Sequence, residues 1–553
     1  MHTLVSIPDV LSIVAVWAIV ILMAWVLGGY LYAIYTGKKG RLDRFFDPVE
    51  RIIYRLAGVD PSREMSSKDY FLNLIILNAF QCGLAFVILR FQSYLPLNPQ
   101  HFPNLSWDLS LNTALSISSN TNLQHYGGGS SLSYLSQMMA IQFLQFTSAA
   151  TGLSVAVAIF RGFSGKFGGI GNFYYDFVRS LTRVLIPLSF VAAIVLVALG
   201  IPQTLNGYVL VKTLEGGSQV LKVGPVASLV SIMQLGTNGG GYYGANSAYP
   251  YQNPSPFTNW IEIVLMMLIP TAVIFLFGRM VGNRKEGNVI LISSYTLYAI
   301  DLVISFITVT TMGPGMEVRL GAFSSVFWTV TTTAFTTGSV NASLAALNPL
   351  VILAAFMGML IQATPGGIGV GTMYMLMYIV MTVFIVGLMA GRTPEYLGAK
   401  ITPRDVKLAV IAFLSHPLII LVPTALAYSM GAAGAVGAGK GPVGFIEIFY
   451  EFTSAAANNG SDFLGTSANT VFFNVSTGIV MWLGRFIPIA VMISIAGNMS
   501  GRVRNIQAGL RTDNLIFAAV LVFSIMILVV LTFFPFLVLG PILSYLEGIP
   551  NGL

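Results

Sequence analysis

Residues 108–124 read Asp108-Leu109-Ser110-Leu111-Asn112-Thr113-Ala114-Leu115-Ser116-Ile117-Ser118-Ser119-Asn120-Thr121-Asn122-Leu123-Gln124, a half-apolar stretch (108–119) that runs straight into small polar residues. It is too short to cross a bilayer, which takes about 20 mainly apolar residues. A segment that enters the membrane without crossing it must be buried in protein or line an aqueous cavity. Three more stretches of this kind lie at 225–236, 321–335 and 443–457. They are followed by Gly236-Thr237-Asn238-Gly239-Gly240-Gly241, by Thr336-Thr337-Gly338-Ser339, and by Asn458-Asn459-Gly460-Ser461. Aligning Asn122, Gly239, Gly338 and Gly460 gives separations of 117, 99 and 122 residues, with two long apolar segments in each interval. This is a fourfold internal repeat of helix, short helix, polar segment and helix.

The surrounding chain is that of a polytopic membrane protein. Over 553 residues it is 55% hydrophobic and 9% charged, with a mean hydropathy of +0.78, a balance foreign to soluble domains. Segments long enough to span occupy 10–33, 70–89, 132–160, 182–200, 259–278, 288–310, 405–429, 471–495 and 514–545. The run 347–391 is twice too long for one straight span and must be two helices or one interrupted helix. Residues 1–9 carry no Lys or Arg and Lys38 and Lys39 follow the first apolar run, so it reads as a retained span rather than a cleaved signal. The one cysteine, Cys82, excludes a disulfide framework and argues against a thiolate metal site.

The net charge of +7 does not indicate nucleic-acid binding, because the basic residues are distributed by loop. Eight fall in 38–68, four in 161–183, three in 279–285, four in 392–407 and three in 502–511. On the alternate side stand only Arg90, Lys212, Lys222, Arg319 and Lys440. The positive-inside bias then gives ten crossings with both termini outside. The half-apolar stretches all lie in outer loops. Eight outer carboxylates, Asp9, Asp108, Glu215, Glu317, Glu447, Glu451, Asp462 and Glu547, face five basic residues there, a balance that concentrates cations.

The polar segments suit an alkali cation. Stripping an ion of water requires replacement oxygens, which backbone carbonyls supply without fixed charge. Inward-facing carbonyls on successive residues need unusual dihedrals, which glycine adopts freely and asparagine tolerates. The carboxyl ends of the four short helices, with their partial negative charge, would face such a cation. Any one Asn-Gly or Thr-Gly pair is by itself an ordinary turn; the signal is the set of four in equivalent places.

Two further features stand out. Thr364-Pro365-Gly366-Gly367-Ile368-Gly369-Val370-Gly371 interrupts the long run; either a loop beneath the polar segments or a tightly packed kink would account for it. Arg485, inside an apolar segment, must be paired, snorkelling to headgroups or functional. Asp301 and Glu262, in or at the edge of spans, fit helix packing or entrance roles. The chain has neither a Gly-rich loop ending in Gly-Lys-Ser/Thr nor an Asp-Lys-Thr-Gly sequence, and its inner loops are short, so no nucleotide site is expected in it.

Longer stretches carry a resemblance. Tyr94 to Gln100 (Tyr-Leu-Pro-Leu-Asn-Pro-Gln), Leu105 to Asn112, Ser119 to Gln124, Gly391 to Gly398 (Gly-Arg-Thr-Pro-Glu-Tyr-Leu-Gly) and Phe452 to Ala456 resemble the potassium-binding A subunit of the Kdp-type potassium-transporting ATPases, within a superfamily of potassium transporters with four pore repeats in one chain. The resemblance implies an all-α polytopic membrane protein with four helix–pore helix–filter–helix repeats around a pseudo-fourfold pore, extra flanking helices and about ten transmembrane segments. Its divisions would be a first helix with a basic cytoplasmic loop (1–66), pore repeats at 67–161, 162–281, 282–391 and 392–500, and a last helix (501–553).

It further implies a potassium filter of Asn120, Thr121, Asn122, Thr237, Asn238, Gly239, Thr336, Thr337, Gly338, Asn458, Asn459 and Gly460, with Gln124 beside it. Gly366, Gly367, Gly369 and Gly371 would obstruct direct inward flow. Arg485, below the filter, would repel potassium from that path. Relatives often carry a glutamate near the position of Gln362, so how tightly the loop is held here depends on that replacement. The expected cargo is potassium, with no transition metal and no nucleotide bound by this chain. The expected partners are a P-type ATPase catalytic subunit, a periplasm-exposed C subunit and a small single-span subunit in the bacterial inner membrane, together with membrane lipid. A stand-alone potassium channel or ion-coupled transporter is the competing reading.

Overall fold

The computed structural model describes residues 6–38, 40, 43–307, 315–439, 441–504 and 509–548. Its helices in chain order are α1 (Ile7–Tyr35), α2 (Asp43–Ala57), α3 (Ser67–Arg90), α4 (Trp107–Ser118), α5 (Ser136–Ser164), α6 (Phe173–Ala198), α7 (Val226–Leu235), α8 (Pro256–Met280), α9 (Arg284–Phe306), α10 (Ala322–Ala334), α11 (Pro349–Ile361), α12 (Val370–Met389), α13 (Pro403–Ser429), α14 (Gly441–Ala456), α15 (Val471–Ser500) and α16 (Leu515–Leu546). Among the described residues ten of these are long and apolar enough to cross a membrane. They are the ten spans expected from the sequence. The long run is indeed interrupted, into α11, a loop at 362–369, and α12.

Local signals fix many helix starts. Ser6 and Asp9 form a capping box at α1, and Thr402 and Asp405 form another at α13. Ser66, Ser106 and Ser255 accept from the first turns of α3, α4 and α8. The four short helices α4, α7, α10 and α14 coincide with the half-apolar stretches to within two residues.

Burial sorts the spans. The apolar window of α5 is 89% buried while that of α1 is 17% buried, so α5 runs through the middle and α1 lines the periphery. Close packing between spans uses small residues, which let backbones approach where no hydrophobic force separates helix from lipid. A Cβ on Gly28 of α1 would lie 2.7 Å from Phe275 Cβ and 2.9 Å from the Ala272 carbonyl of α8. At the basic end of the bundle, Arg161 forks onto Asp176 through bonds of 2.7 and 2.8 Å, with Tyr70 donating to the same carboxylate at 3.1 Å.

The structure corrects several expectations. The basic segment after α1 is not simply a loop: it contains α2, an amphipathic helix whose low overall hydrophobicity leaves it outside the long apolar runs that mark the spans. The spans expected at 182–200 and 132–160 begin at Phe173 and Ser136. The all-α reading holds for the spans, but the segment between α6 and α7 forms an antiparallel ribbon of β1 (Val209–Lys212) and β2 (Ser218–Leu221). Its turn is closed by Thr213 N–H donating to the Gly217 carbonyl at 2.9 Å. Lys39, Lys440, residues 308–310 of the expected sixth span and both chain ends lie outside the described residues.

Candidate ion-binding site

Each short helix ends in the same way. Residues Ser119, Gly236, Phe335 and Ala457 close the last α-turns. The next residues, Asn120, Thr237, Thr336 and Asn458, are left-handed, with φ of 62°, 45°, 42° and 53°. Their N–H groups donate three residues back, and those of Thr121, Asn238, Thr337 and Asn459 donate five residues back, at 2.7–3.0 Å. This pair of bonds is the Schellman termination, which satisfies carbonyls at a helix end through one left-handed residue. Asparagine is a natural occupant of that position. Threonine is not, because its branched Cβ crowds the left-handed backbone, so Thr237 and Thr336 are held there by their surroundings.

The chain is left-handed again two residues on, at Asn122 (φ 52°), Gly239 (79°), Gly338 (89°) and Gly460 (106°). These are the four positions aligned from sequence spacing. The middle residues, Thr121, Asn238, Thr337 and Asn459, do not have positive φ, so every segment repeats one alternation.

The four segments close into a ring. A Cβ on Gly239 would lie 1.8 Å from the Thr337 carbonyl oxygen, one on Gly338 1.9 Å from that of Asn459, and one on Gly460 2.0 Å from that of Thr121. The second segment thus touches the third, the third the fourth, and the fourth the first. Asn122 Nδ2 completes the circuit by donating to the Gly239 carbonyl at 2.8 Å. Glycine is required at three positions because a neighbouring carbonyl occupies the space of a side chain. At the fourth, asparagine turns its side chain into a hydrogen bond instead.

Side chains brace the ring. Asn120 Nδ2 donates to the Thr237 carbonyl at 2.9 Å, and Asn458 Nδ2 donates to Thr121 Oγ1 at 2.9 Å. Asn459 Nδ2 donates to the Thr332 carbonyl at 2.9 Å. Gln124 exchanges two bonds with the Gly241 backbone, at 2.9 and 3.1 Å, joining the first two segments further out. Among the described residues, Asn122 Oδ1, Asn238 Oδ1 and Thr337 Oγ1 are buried without a hydrogen-bond partner.

The interrupted span lies against the deep end of this ring. Ile368 N–H donates to Thr237 Oγ1 at 2.9 Å, and a Cβ on Gly367 would lie 2.4 Å from Thr336 Oγ1. Gly366 N–H caps α10 by donating to the Ala334 carbonyl at 2.8 Å. A Cβ on Gly369 would lie 2.0 Å from the Gly152 carbonyl of α5, and one on Gly371 2.0 Å from the Pro365 carbonyl of the loop itself. The loop begins at left-handed Gln362 (φ 56°), whose amide meets His416 Nδ1 of α13 at 2.9 Å.

Arg485 is 3% exposed, so it does not snorkel to headgroups. Among the described residues it has no carboxylate partner; Nη2 donates to the Ser148 carbonyl at 3.3 Å. Ser148 Oγ in turn donates to Asn120 Oδ1 at 2.9 Å, so one residue of α5 connects the arginine to the first segment. The guanidinium and the Ile368 carbonyl flank Gly152, at 3.0 and 2.4 Å from the place of its missing Cβ.

Sequence reasoning missed the first of two braces behind the ring. His125 lies between Asn474 Oδ1 (2.7 Å) and Glu451 Oε1 (2.9 Å), linking the first segment to α14 and α15. Burial opposes protonation of His125, but the bond to Glu451 and its charge outweigh that and hold its pKa above the ordinary value. Nearby, burial and then the Glu451 charge push Asp462 up to about 8. Glu262 of α8 is buried and accepts from Gln234 (2.7 Å) and Ser247 (2.8 Å), beside the second and third segments. That is a packing role of the kind expected for it, whereas buried Asp301 carries an oxygen without a partner among the described residues. A histidine directly after Gln124 was the available signal for the first brace.

Comparison with known proteins places these features in a family context. Residues 14–546 match the family model KdpA, described as potassium-transporting ATPase A subunit. The chain is 46% identical over 548 residues to the potassium-transporting ATPase potassium-binding subunit of Geobacillus kaustophilus, covering 96% of this chain and 98% of that one. It is 43% identical over 548 residues to the protein of that description from Caldanaerobacter subterraneus subsp. tengcongensis, with coverage of 96% and 98%. It is 44% identical over 559 residues to the one from Alicyclobacillus acidocaldarius, with coverage of 98% and 100%. Among solved structures, the potassium transporter TrkH from Vibrio parahaemolyticus superposes with a TM-score of 0.52 over 86% of this chain and 97% of that chain. At 15% identity this is a likeness of fold.

Proposed function

Since the chain belongs to the family of potassium-transporting ATPase A subunits, we propose that it binds extracytoplasmic potassium in the ring of Asn120–Asn122, Thr237–Gly239, Thr336–Gly338 and Asn458–Gly460. From there it passes the ion to a P-type ATPase catalytic subunit within an ATP-driven uptake complex of the bacterial inner membrane. The periplasm-exposed C subunit and the small single-span subunit complete that complex, and ATP hydrolysis is the work of the catalytic partner.

The observation that carries this reading is the closure of four equivalent segments through carbonyl-to-glycine contacts. Carbonyls held this closely replace the water around a dehydrated potassium ion without adding net charge. The helix ends behind them contribute partial negative charge. The glycine loop obstructs the deep end of the ring, and Arg485 adds a positive charge there. An ion in the ring therefore meets a barrier to the straight inward path and is available for delivery sideways.

The test is purification from the native membrane with identification of co-purifying chains, followed by potassium flux in sealed vesicles with and without ATP. The expected result is uptake that requires both the ATPase partner and ATP, with potassium preferred over sodium. Sustained potassium flux from this chain alone would favour a channel or an ion-coupled transporter instead.

A further inference from the structure

Helix α2 has an inverted arrangement. Asp43, Asp47 and Glu50 on one face hold Arg183 of α6, which bonds Asp43 closely, Asp47 at 2.6 Å, and both oxygens of Glu50 at 2.5 and 2.9 Å. Thr182 adds a bond to Glu50 at 2.9 Å. With the acidic face turned into the protein, the opposite face carries Phe45, Val49, Ile52 and Leu56, which are 71%, 48%, 58% and 83% exposed. Steps of four, three and four residues at 3.6 per turn place all four in one stripe. Exposed Arg44, Arg51 and Arg55 form a second stripe along one flank of it.

The level of α2 across the bundle identifies what meets this stripe. Arg179 donates to the Ile34 carbonyl at 2.6 Å and Tyr35 meets Ser180 Oγ at 2.7 Å, so the end of α1 stands beside 179–180 of α6. Tyr30 donates to the Arg183 carbonyl at 3.0 Å, which sets Arg183 about one turn further into the span. A helix clamped to Arg183 therefore lies alongside the last turns of the first span. That is the boundary between hydrocarbon and headgroups, on the side the basic loops mark as cytoplasmic.

We infer that α2 is an interfacial helix of the cytoplasmic leaflet. Phe45, Val49, Ile52 and Leu56 enter the acyl boundary, and Arg44, Arg51 and Arg55 receive the phosphates of anionic lipid. An amphipathic helix at this depth gains from apolar burial and from charge attraction together. The Arg183 clamp fixes its rotation, so that the apolar stripe and not the acidic face meets the lipid.

The experiment uses the full chain with its co-purifying partners in lipid nanodiscs. Cys82, the only cysteine, is replaced by alanine, and Ile52→Cys or Leu56→Cys carries a nitroxide label. Collision with dissolved oxygen should exceed collision with a water-soluble nickel chelate at both positions, at a depth just below the phosphates. Dominance of the nickel chelate would mean water, and shielding from both reagents would mean a partner subunit; either outcome overturns the proposal. For the charge component, a fluorophore at Ile52→Cys should be quenched several-fold more by brominated phosphatidylglycerol than by brominated phosphatidylcholine. The combined Arg44→Gln, Arg51→Gln and Arg55→Gln variant should abolish that difference. Equal quenching before substitution overturns the assignment of anionic lipid.

Discussion

The Ile368 N–H donates to Thr237 Oγ1 at 2.9 Å, tying the interruption of the broken span to the first residue of the second segment of the ring. Thr237 is itself left-handed, so an unfavourable backbone and a loop with few internal bonds support each other. The contact joins the proposed binding ring to the proposed barrier beneath it.

Replacing Thr237 with valine keeps the branched shape but removes the acceptor. A buried N–H left unpaired costs about 1–3 kcal/mol. The expected outcome is a looser loop, read as passive potassium flux without ATP that rises several-fold. Thr237→Ser, which keeps the hydroxyl, should retain a tight barrier. Equal leak in the valine and serine variants would dissociate the hydroxyl from the barrier.

Gly460→Ala and Gly239→Ala place a methyl group where a neighbouring carbonyl sits, 2.0 and 1.8 Å from the new Cβ. Neither carbonyl can move without opening the ring. Potassium-over-sodium preference, measured by ion competition on the purified complex, should fall by about tenfold or more, a change of about 1.4 kcal/mol. Gly431→Ala is the control: it is also left-handed (φ 73°), with nothing within 4 Å of a Cβ. It should cost about 1–2 kcal/mol of stability and leave ion preference unchanged.

Arg485→Ala or Arg485→Met should weaken coupling, read as potassium taken up per ATP hydrolysed in sealed vesicles. A fixed charge in low-dielectric surroundings acts strongly on a nearby dehydrated ion. Arg485→Lys should retain part of the coupling, because charge survives although the planar donor set is lost. Thermal unfolding run in parallel separates misfolding from loss of the barrier. Normal coupling in a folded alanine variant would make Arg485 a packing residue only.

The outer brace predicts a pH dependence. Both His125 and Asp462 have folded pKa values above their unfolded ones, so the folded state binds protons more tightly at both. Their stabilising contribution is fully present below the unfolded values. Asp462 loses it as pH rises from about 4 to about 8, and His125 loses it as pH rises through its elevated value. The unfolding temperature of the purified complex should therefore decline from pH 5 to pH 8.5. Glu451→Gln removes a charge that raises both groups and should make that decline shallower, while the part of the Asp462 shift caused by burial remains.

The sequence by itself determined the number of the spans and the position of most of them, the four half-apolar stretches and the equivalence of Asn122, Gly239, Gly338 and Gly460. Span length and periodicity are local consequences of a bilayer that cannot satisfy open backbone groups. The glycine pattern survives in the chain because a side chain at three of these positions would strike a neighbouring carbonyl. Only the tertiary structure decided that the segments close in the order first, second, third, fourth and back to the first. It also decided that Ile368 reaches Thr237, that Arg485 stays buried against Ser148, and that α2 turns its acids inward to Arg183. Those contacts join residues about a hundred positions apart or more, and nothing in a residue's own neighbourhood records which distant carbonyl or guanidinium will meet it. Left-handed Thr237 and Thr336 illustrate the limit most directly: threonine disfavours that conformation locally, and only the ring and the loop beneath it hold the backbone there.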